Sequence, residues 1–339
     1  MEPACPRAAL SGTRSSSLHK STIVAEETPK KILVTGATGY IGSILVPHLL
    51  SQGHEVIALD NFLYGQTSLT DCCIDERLTI VRGDTRDKNL VKQLLAGCDC
   101  VLPLACLVGA PVCEKKPEEA KAVNLDAIKM LLSLSSREQE FVVPITNSGY
   151  GVGQPGAFCT EESPLNPVSL YGRLKVEAEK MILDSGHGIS LRLATAFGMS
   201  PRMRLDLLVN DFTYRAVTDR FVVLFEAHFK RNYIHVRDIA RAFSHALDNF
   251  RKMQGNAYNV GLSDANLSKL ELCQEIKKQV PDFTILEAKV GKDPDQRDYI
   301  VSNEKIEKTG YKPQVSLQRG IAELIKGFQI IRRNQFSNL

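Results

Sequence analysis

KILVTGATGYIG (residues 31–42) runs a short apolar stretch straight into glycines at positions 36, 39 and 42. A backbone that must turn sharply and pass close to a pyrophosphate cannot carry Cβ atoms at those points. GYIGSILVPHLLSQG (39–53) follows, with apolar residues at Ile41, Ile44, Leu45, Leu49 and Leu50 and a closing Gly53, which is helical spacing. A strand, a G-x-x-G-x-x-G turn and a helix in that order are the context in which glycine spacing signals a dinucleotide site. The helix start aims free N–H groups and the positive end of its dipole at phosphate. Gly36, Thr38, Gly39, Tyr40, Ile41 and Gly42 are therefore the first candidate cofactor contacts.

Outward from this turn the pattern alternates. HEVIALD (54–60), LTIVRGD (78–84), CDCVLPLA (98–105), FVVPITNS (141–148) and GISLRLATAFG (188–198) read as further strands. EEAKAVNLDAIKMLLSLSS (118–136) reads as one long helix. Alternation of this kind predicts an α/β fold, a Rossmann-type doubly wound parallel sheet with helices on both faces. Later the rhythm breaks: NYIHVRDIARAFSHALDNF (232–250) pairs a strand with a helix, and 281–330 mixes short strands with a final helix. Residues 31–195, joined by 231–260, are expected to form the cofactor domain. Residues 196–230 and 261–330 are expected to form a smaller mixed α/β substrate lobe, with 331–339 a tail.

Asp60 ends the second strand, 18 residues past Gly42. An acid there accepts from both ribose hydroxyls and repels a 2′-phosphate, which favours NAD over NADP. Asn61 and Phe62 follow it, with no Arg directly after. Asp84, at the end of the third strand, is a candidate for the adenine amino group or a helix cap. Tyr171 and Lys175 form a Y-x-x-x-K whose i, i+4 spacing sets both side chains on one helix face. A phenol is a poor base near neutral pH, and an adjacent ammonium together with the positive nicotinamide is expected to lower its pKa so that it can move a proton while hydride moves to nicotinamide. Thr146, at the carboxyl end of its strand, is the candidate for orienting the substrate hydroxyl, with Ser148 as competitor.

The 339 residues carry a formal net charge of +3, 43% apolar and 24% charged residues. That is ordinary globular composition, with no basic tract for nucleic acid and no apolar run of membrane-spanning length. The seven histidines show no metal-ligand spacing, so no metal is expected. The nine cysteines, an odd number with no recurring C-x-x-C, suit buried reduced thiols and a cytoplasmic setting. Residues 1–30 are Ser/Arg-rich without periodicity and read as a disordered extension, the alternative being an organelle transit peptide.

These features together resemble the extended short-chain dehydrogenase/reductase family of NAD-dependent nucleotide-sugar epimerases and dehydratases, over roughly residues 31–330. The ordered matches include GATGYIG, PLA (103–105), AVNLDA (122–127), SPLNPVSLYGRLK (163–175), RNYIHVRDIA (231–240), YNVG (258–261) and a late RDY. The resemblance implies cofactor contacts at Asn61, Leu104 and Ala105, a site-helix amide at Asn124 that contacts substrate, a structural acid at Asp238, and diphosphate contacts at Arg231 and Arg297. SPRMRLDLLVNDF (200–212) is a basic stretch with apolar anchors, which adds Arg202, Arg204 and Asn210 as substrate contacts. Departures narrow the chemistry. The Thr-Asp-Glu of the dehydratases is Thr146-Asn147-Ser148 here, which disfavours 4,6-dehydration. No Cys–Lys pair of the 3,5-epimerases is evident, and the Arg-x-x-Asn after the sixth strand is Arg192-Leu193-Ala194-Thr195. VGAPVC (108–113), TNSGYG (146–151), CTEESPL (159–165), HFKRNYIHVRD (228–238) and DPDQRDYIVSN (293–303) look most like the branch that oxidises C4 of GDP-heptose. That likeness implies NAD-dependent oxidation of a GDP-heptose type nucleotide-diphosphate sugar to a 4-keto sugar. It also implies tightly bound NAD, recycling with 2-oxoglutarate, and a homodimer. A nucleotide-sugar 4-epimerase is the alternative, and a non-catalytic NAD-binding protein is a third reading.

Overall fold

The structure is a computed structural model that describes residue 1 and residues 29–154, 156–288 and 297–331. The extension and the tail proposed from sequence fall almost wholly outside the described residues. Strand β1 (Lys31–Thr35) runs through the glycine turn into α1 (Gly42–Ser51), followed by β2 (Glu55–Asp60), β3 (Leu78–Arg82), α2 (Lys88–Leu95) and β4 (Cys100–Pro103). Helices α3 (Ala110–Lys115), α4 (Pro117–Lys121) and α5 (Ala127–Leu134) lead to β5 (Glu140–Thr146), the short β6 (Phe158–Cys159), α6 (Leu170–Ser185) and β7 (Gly188–Leu193). Next come β8 (Thr195–Phe197), α7 (Leu208–Thr218), β9 (Phe221–Leu224), β10 (Lys230–His235), α8 (Val236–Asp248), α9 (Phe250–Met253) and β11 (Ala257–Val260). The chain continues through β12 (Asn266–Ser268), α10 (Lys269–Lys277), β13 (Thr284–Glu287), β14 (Ile300–Val301), α11 (Glu304–Glu307) and α12 (Leu317–Gly327).

Seven strands form one parallel sheet in the order β11-β7-β5-β4-β1-β2-β3. The fold is therefore the doubly wound α/β sheet expected from the sequence, and its order reverses between β1 and β4. Period-two alternation explains why helices cover both faces. Ile32, Val34, Val56, Ala58 and Leu102 join a core with α1 and α8, whereas Leu33, Ile57, Leu59, Val101 and Phe141 join another with α2, α5 and α6. Side chains such as Leu33 and Leu45, with no exposed surface, each contribute about 1.5–3 kcal/mol by burial. Smaller sheets β12-β10-β8, β13-β9 and β14-β6 lie beyond the main sheet.

Two elements differ from the sequence reading. The helix expected over 118–136 is present and runs through a π-helical turn at Ala122–Asp126. There Asn124 turns both amide atoms to the backbone of Leu107, accepting from its N–H (2.8 Å) and donating to its carbonyl (2.9 Å). The strand expected over 188–198 divides at Ala194: β7 stays in the main sheet, and β8 leaves to pair with β10.

Candidate active site

The sheet reverses beside β1, and open parallel sheets bind ligands at that point along their carboxyl edge. One cavity opens there, lined among others by Gly36, Gly39, Tyr40, Ile41, Gly42 and Asp60 at one end and by Thr146, Ser148, Tyr171 and Lys175 at the other. Asn61, Asp84, Leu104, Ala105, Arg202, Arg204 and Arg297 also line it. Most side chains singled out from sequence thus share one cavity.

The glycine turn is a backbone cradle. Gly36 has φ +65°, and a Cβ on it would sit 2.6 Å from Ala105 N. A Cβ on Gly42 would sit 2.4 Å from the carbonyl oxygen of Ala37. The turn is held through Thr38. Thr38 N donates to Asp60 Oδ2 (3.0 Å), Gln66 Nε2 donates to Thr38 Oγ1 (2.7 Å), and Ser68 Oγ donates to Thr38 O (2.8 Å). Thr38 supports the turn and is not among the side chains that line the cavity. Asp60 also accepts from Phe62 N (2.8 Å), which fixes the carboxylate at the cavity wall. Asp84 lines the cavity while paired with Arg86 at 2.6 Å, and the hydrogen bonds from Arg86 hold its carboxyl below the usual range. The cap of α2 is Asp87, not Asp84. Beside Asp84 the buried Thr85 hydroxyl has no hydrogen-bond partner among the described residues. The close-packed glycine turn, the helix start behind it and this orphan hydroxyl fit an adenine dinucleotide.

At the other end Ser169 caps α6, accepting from Gly172 N at 3.1 Å, and so sets the first turn that carries Tyr171. Lys175 is 3% exposed and donates from Nζ to the carbonyl of Pro144 at 2.8 Å. The amine is thereby tied to the end of β5. Burial pushes the Tyr171 phenol well above its usual range, the Cys106 thiol adds to this, and the guanidinium groups of Arg204 and Arg297 oppose it. Desolvation thus outweighs the cations that the protein itself sets around the phenol. Thr146 Oγ1 donates to Ser148 Oγ (2.9 Å) and accepts from Ser148 N (3.1 Å). Arg297 Nη1 donates to the same Ser148 hydroxyl.

Three expected substrate contacts lie elsewhere. Asn124 is fully buried behind the wall, spent on Leu107. Asn210 is fully buried, accepting from Gly198 N (3.0 Å) and donating to Arg204 O (2.9 Å), so it shapes the segment that carries Arg204. Arg231 is 3% exposed behind Tyr299, its guanidinium 5.6 Å from that ring. Amides and guanidinium groups on these elements find backbone or aromatic partners before they reach the cavity. Arg202 lies over the Tyr64 ring at 4.2 Å, and Arg204 forks onto Asp206 at 3.1 and 2.5 Å. Tyr64, Gln66, Cys106 and Tyr299 also line the cavity. Of these only Tyr299 stood in a stretch marked by the sequence, the late RDY; the others carry no spacing that would have found them.

The sequence model of the "NAD dependent epimerase/dehydratase family" matches residues 32–261. A UDP-glucose 4-epimerase of Halalkalibacterium halodurans is 30% identical over 274 residues, covering 72% of this chain and 80% of that protein. A dTDP-glucose 4,6-dehydratase of Streptomyces niveus is 28% identical over 318 residues, covering 88% of this chain and 93% of that one. Among solved structures, the UDP-glucose 4-epimerase of Thermus thermophilus in complex with NAD superposes with a TM-score of 0.76 at 25% identity. That match covers 88% of this chain and 99% of the other. Among the described residues no helix is long and apolar enough to cross a membrane.

Proposed function

This chain belongs to the NAD dependent epimerase/dehydratase family, and on that premise we propose that it oxidises C4 of a nucleotide-diphosphate sugar to a 4-keto sugar. It is an NAD-dependent enzyme of the extended short-chain dehydrogenase/reductase type acting on nucleotide sugars. The observation that carries the reading is the shared cavity, with Tyr171, Lys175 and Thr146 at one end and the glycine turn and Asp60 at the other.

Bound at that turn, NAD supplies the acceptor for the hydride that leaves C4. The residues of the chain handle the rest. Thr146 and Ser148 hold the C4 hydroxyl, and Tyr171 takes its proton. Lys175, anchored on Pro144, stands at the same end of the cavity. Arg202, Arg204 and Arg297 line the cavity wall, where guanidinium forks suit diphosphate oxygens. A GDP-heptose type sugar, tightly held NAD, return of the hydride to 2-oxoglutarate and a homodimer are the finer parts of the proposal. They are supported by the sequence likeness in 108–113, 146–151 and 293–303.

Asn147 and Ser148 stand where dehydratases need carboxylates, which supports simple oxidation over water loss. A second reading, 4-epimerisation, is favoured by the 30% identical UDP-glucose 4-epimerase. Incubating the purified chain with GDP-heptose, GDP-mannose and UDP-glucose, with and without 2-oxoglutarate, separates the two. Accumulation of a ketone supports oxidation, and an inverted sugar supports epimerisation. No turnover on any of them, with NAD still bound, overturns both.

A further inference from the structure

Tyr150 closes the short 3-10 turn Asn147–Tyr150 that starts immediately after Thr146. It does not line the cavity and is 2% exposed. Its ring packs edge-on against Tyr299, with centroids 6.2 Å apart and planes at 65°. Tyr299 lies on the cavity wall two positions after Arg297. On its other side the Tyr150 hydroxyl accepts from Arg192 Nη1 at 2.9 Å and lies 2.7 Å from Asn259 Oδ1 and 2.9 Å from Thr160 O.

Arg192, on β7, forks onto Glu179 of α6: Nη2 reaches Oε1 at 2.7 Å and Nε reaches Oε2 at 3.0 Å. Glu179 also accepts from Ser190 Oγ at 2.5 Å. The Arg192 and Glu179 side chains are only 6% and 4% exposed. Glu179 stands four residues after Lys175, one helical turn along the same face of α6. A bidentate pair fixes angle as well as distance. Buried at this depth, it does not slide or trade its partner for water without a large penalty.

The pieces that must meet the substrate hydroxyl are therefore referred to one side chain. Ser148 and Thr146 are joined to Tyr150 by the backbone of this turn, two and four positions before it. Tyr171 and Lys175 are joined to it through α6, Glu179 and Arg192. Arg297 is joined to it through Tyr299. We propose that Tyr150 is a positioning residue that holds the hydroxyl-binding turn, the proton-transfer helix and the Arg297 wall in one register for catalysis. This rests on the reaction proposed above.

Tyr150→Phe tests it in the full-length holoenzyme, since it keeps the ring and removes only the hydroxyl. With the nucleotide sugar that the unaltered chain turns over, kcat should fall between about tenfold and a hundredfold, as small misplacements at a reacting centre do. KM and bound NAD should change little. Tyr311→Phe is the comparison: its hydroxyl is also buried, donates to Asp238 O at 2.8 Å and lies outside the cavity lining. That variant should lose thermal stability to a similar degree while keeping kcat. Backbone amide exchange over 146–151, which needs no substrate, should quicken in Tyr150→Phe and not in Tyr311→Phe. Unchanged kcat in Tyr150→Phe, or equal kcat losses in the two variants, overturns the proposal, as does unchanged exchange over 146–151. Unaltered turnover in Tyr171→Phe would overturn the reaction instead, and the exchange result would still decide whether Tyr150 holds the turn.

Discussion

Tyr171 begins as a protonated phenol, because burial holds its pKa above the ordinary value of 10.0 while Arg204 and Arg297 pull it down. Oxidation needs the phenolate, so kcat in that direction should rise with pH. Arg204→Gln removes one of the opposing cations and should move the rising limb of the kcat–pH curve to more alkaline pH. A limb that stays in place would mean Arg204 does not act on the phenol. Tyr171→Phe should cost about 10²–10⁴-fold in kcat while retaining NAD, read from nicotinamide absorbance and single-turnover assays. Asn124→Ala should act on stability more than on KM. It leaves the Leu107 N–H and carbonyl without the amide they now share, a loss of about 1–3 kcal/mol in denaturant melts. At this scale the glycine turn, Asp60 and Tyr171 were legible because their chemistry constrains residue type and spacing together. Asn124, Asn210 and Arg231 were legible in type only; spacing along the chain does not say which way a side chain points.

Helix α6 owes its start to Ser169, which accepts from Gly172 N at 3.1 Å and also lines the cavity. Ser169→Ala should cost about 1 kcal/mol in denaturant unfolding. It should also lower kcat, because the turn that frays is the one that carries Tyr171; loss of stability with intact kcat would separate the cap from catalysis. The strand–helix alternation was readable from apolar periodicity, since β1, β2, β4 and β5 each serve two cores and the helices against them one. The π turn within the 118–136 stretch was not, because its apolar spacing continues through Ala122–Asp126. Within that turn Asn124 is held by the backbone of Leu107, a contact that no local propensity encodes. The division of 188–198 likewise follows from the pairing of β8 with β10, a contact between segments far apart in sequence.

Across the molecule, Glu323 of α12 ties the last helix to two other segments. It lies 2.6 Å from His235 Nε2 at the end of β10, and it accepts from Met199 N at 3.1 Å after β8. Burial raises its pKa, but the hydrogen bonds from His235 and Met199 and the nearby Arg237 outweigh burial and leave it below the ordinary 4.5. A carboxyl depressed in this way stabilises the fold above its unfolded pKa, and the contribution is lost as pH falls through the folded value. Thermal melts should therefore fall on acidification below about 4.5, and Glu323→Gln should blunt that fall. An equally steep acid loss in the variant would assign it to other groups. The outermost strand on one side of the main sheet, β11, comes from residues 257–260, after the chain has left the sheet at residue 193 and returned. During synthesis, then, a nascent chain that has emerged only to residue 256 has a bare flank on β7, with a ladder of N–H and C=O groups still seeking a neighbour. For that interval the half-made molecule is adhesive toward other strands, and its yield in a cell depends on how fast the ribosome delivers four more residues.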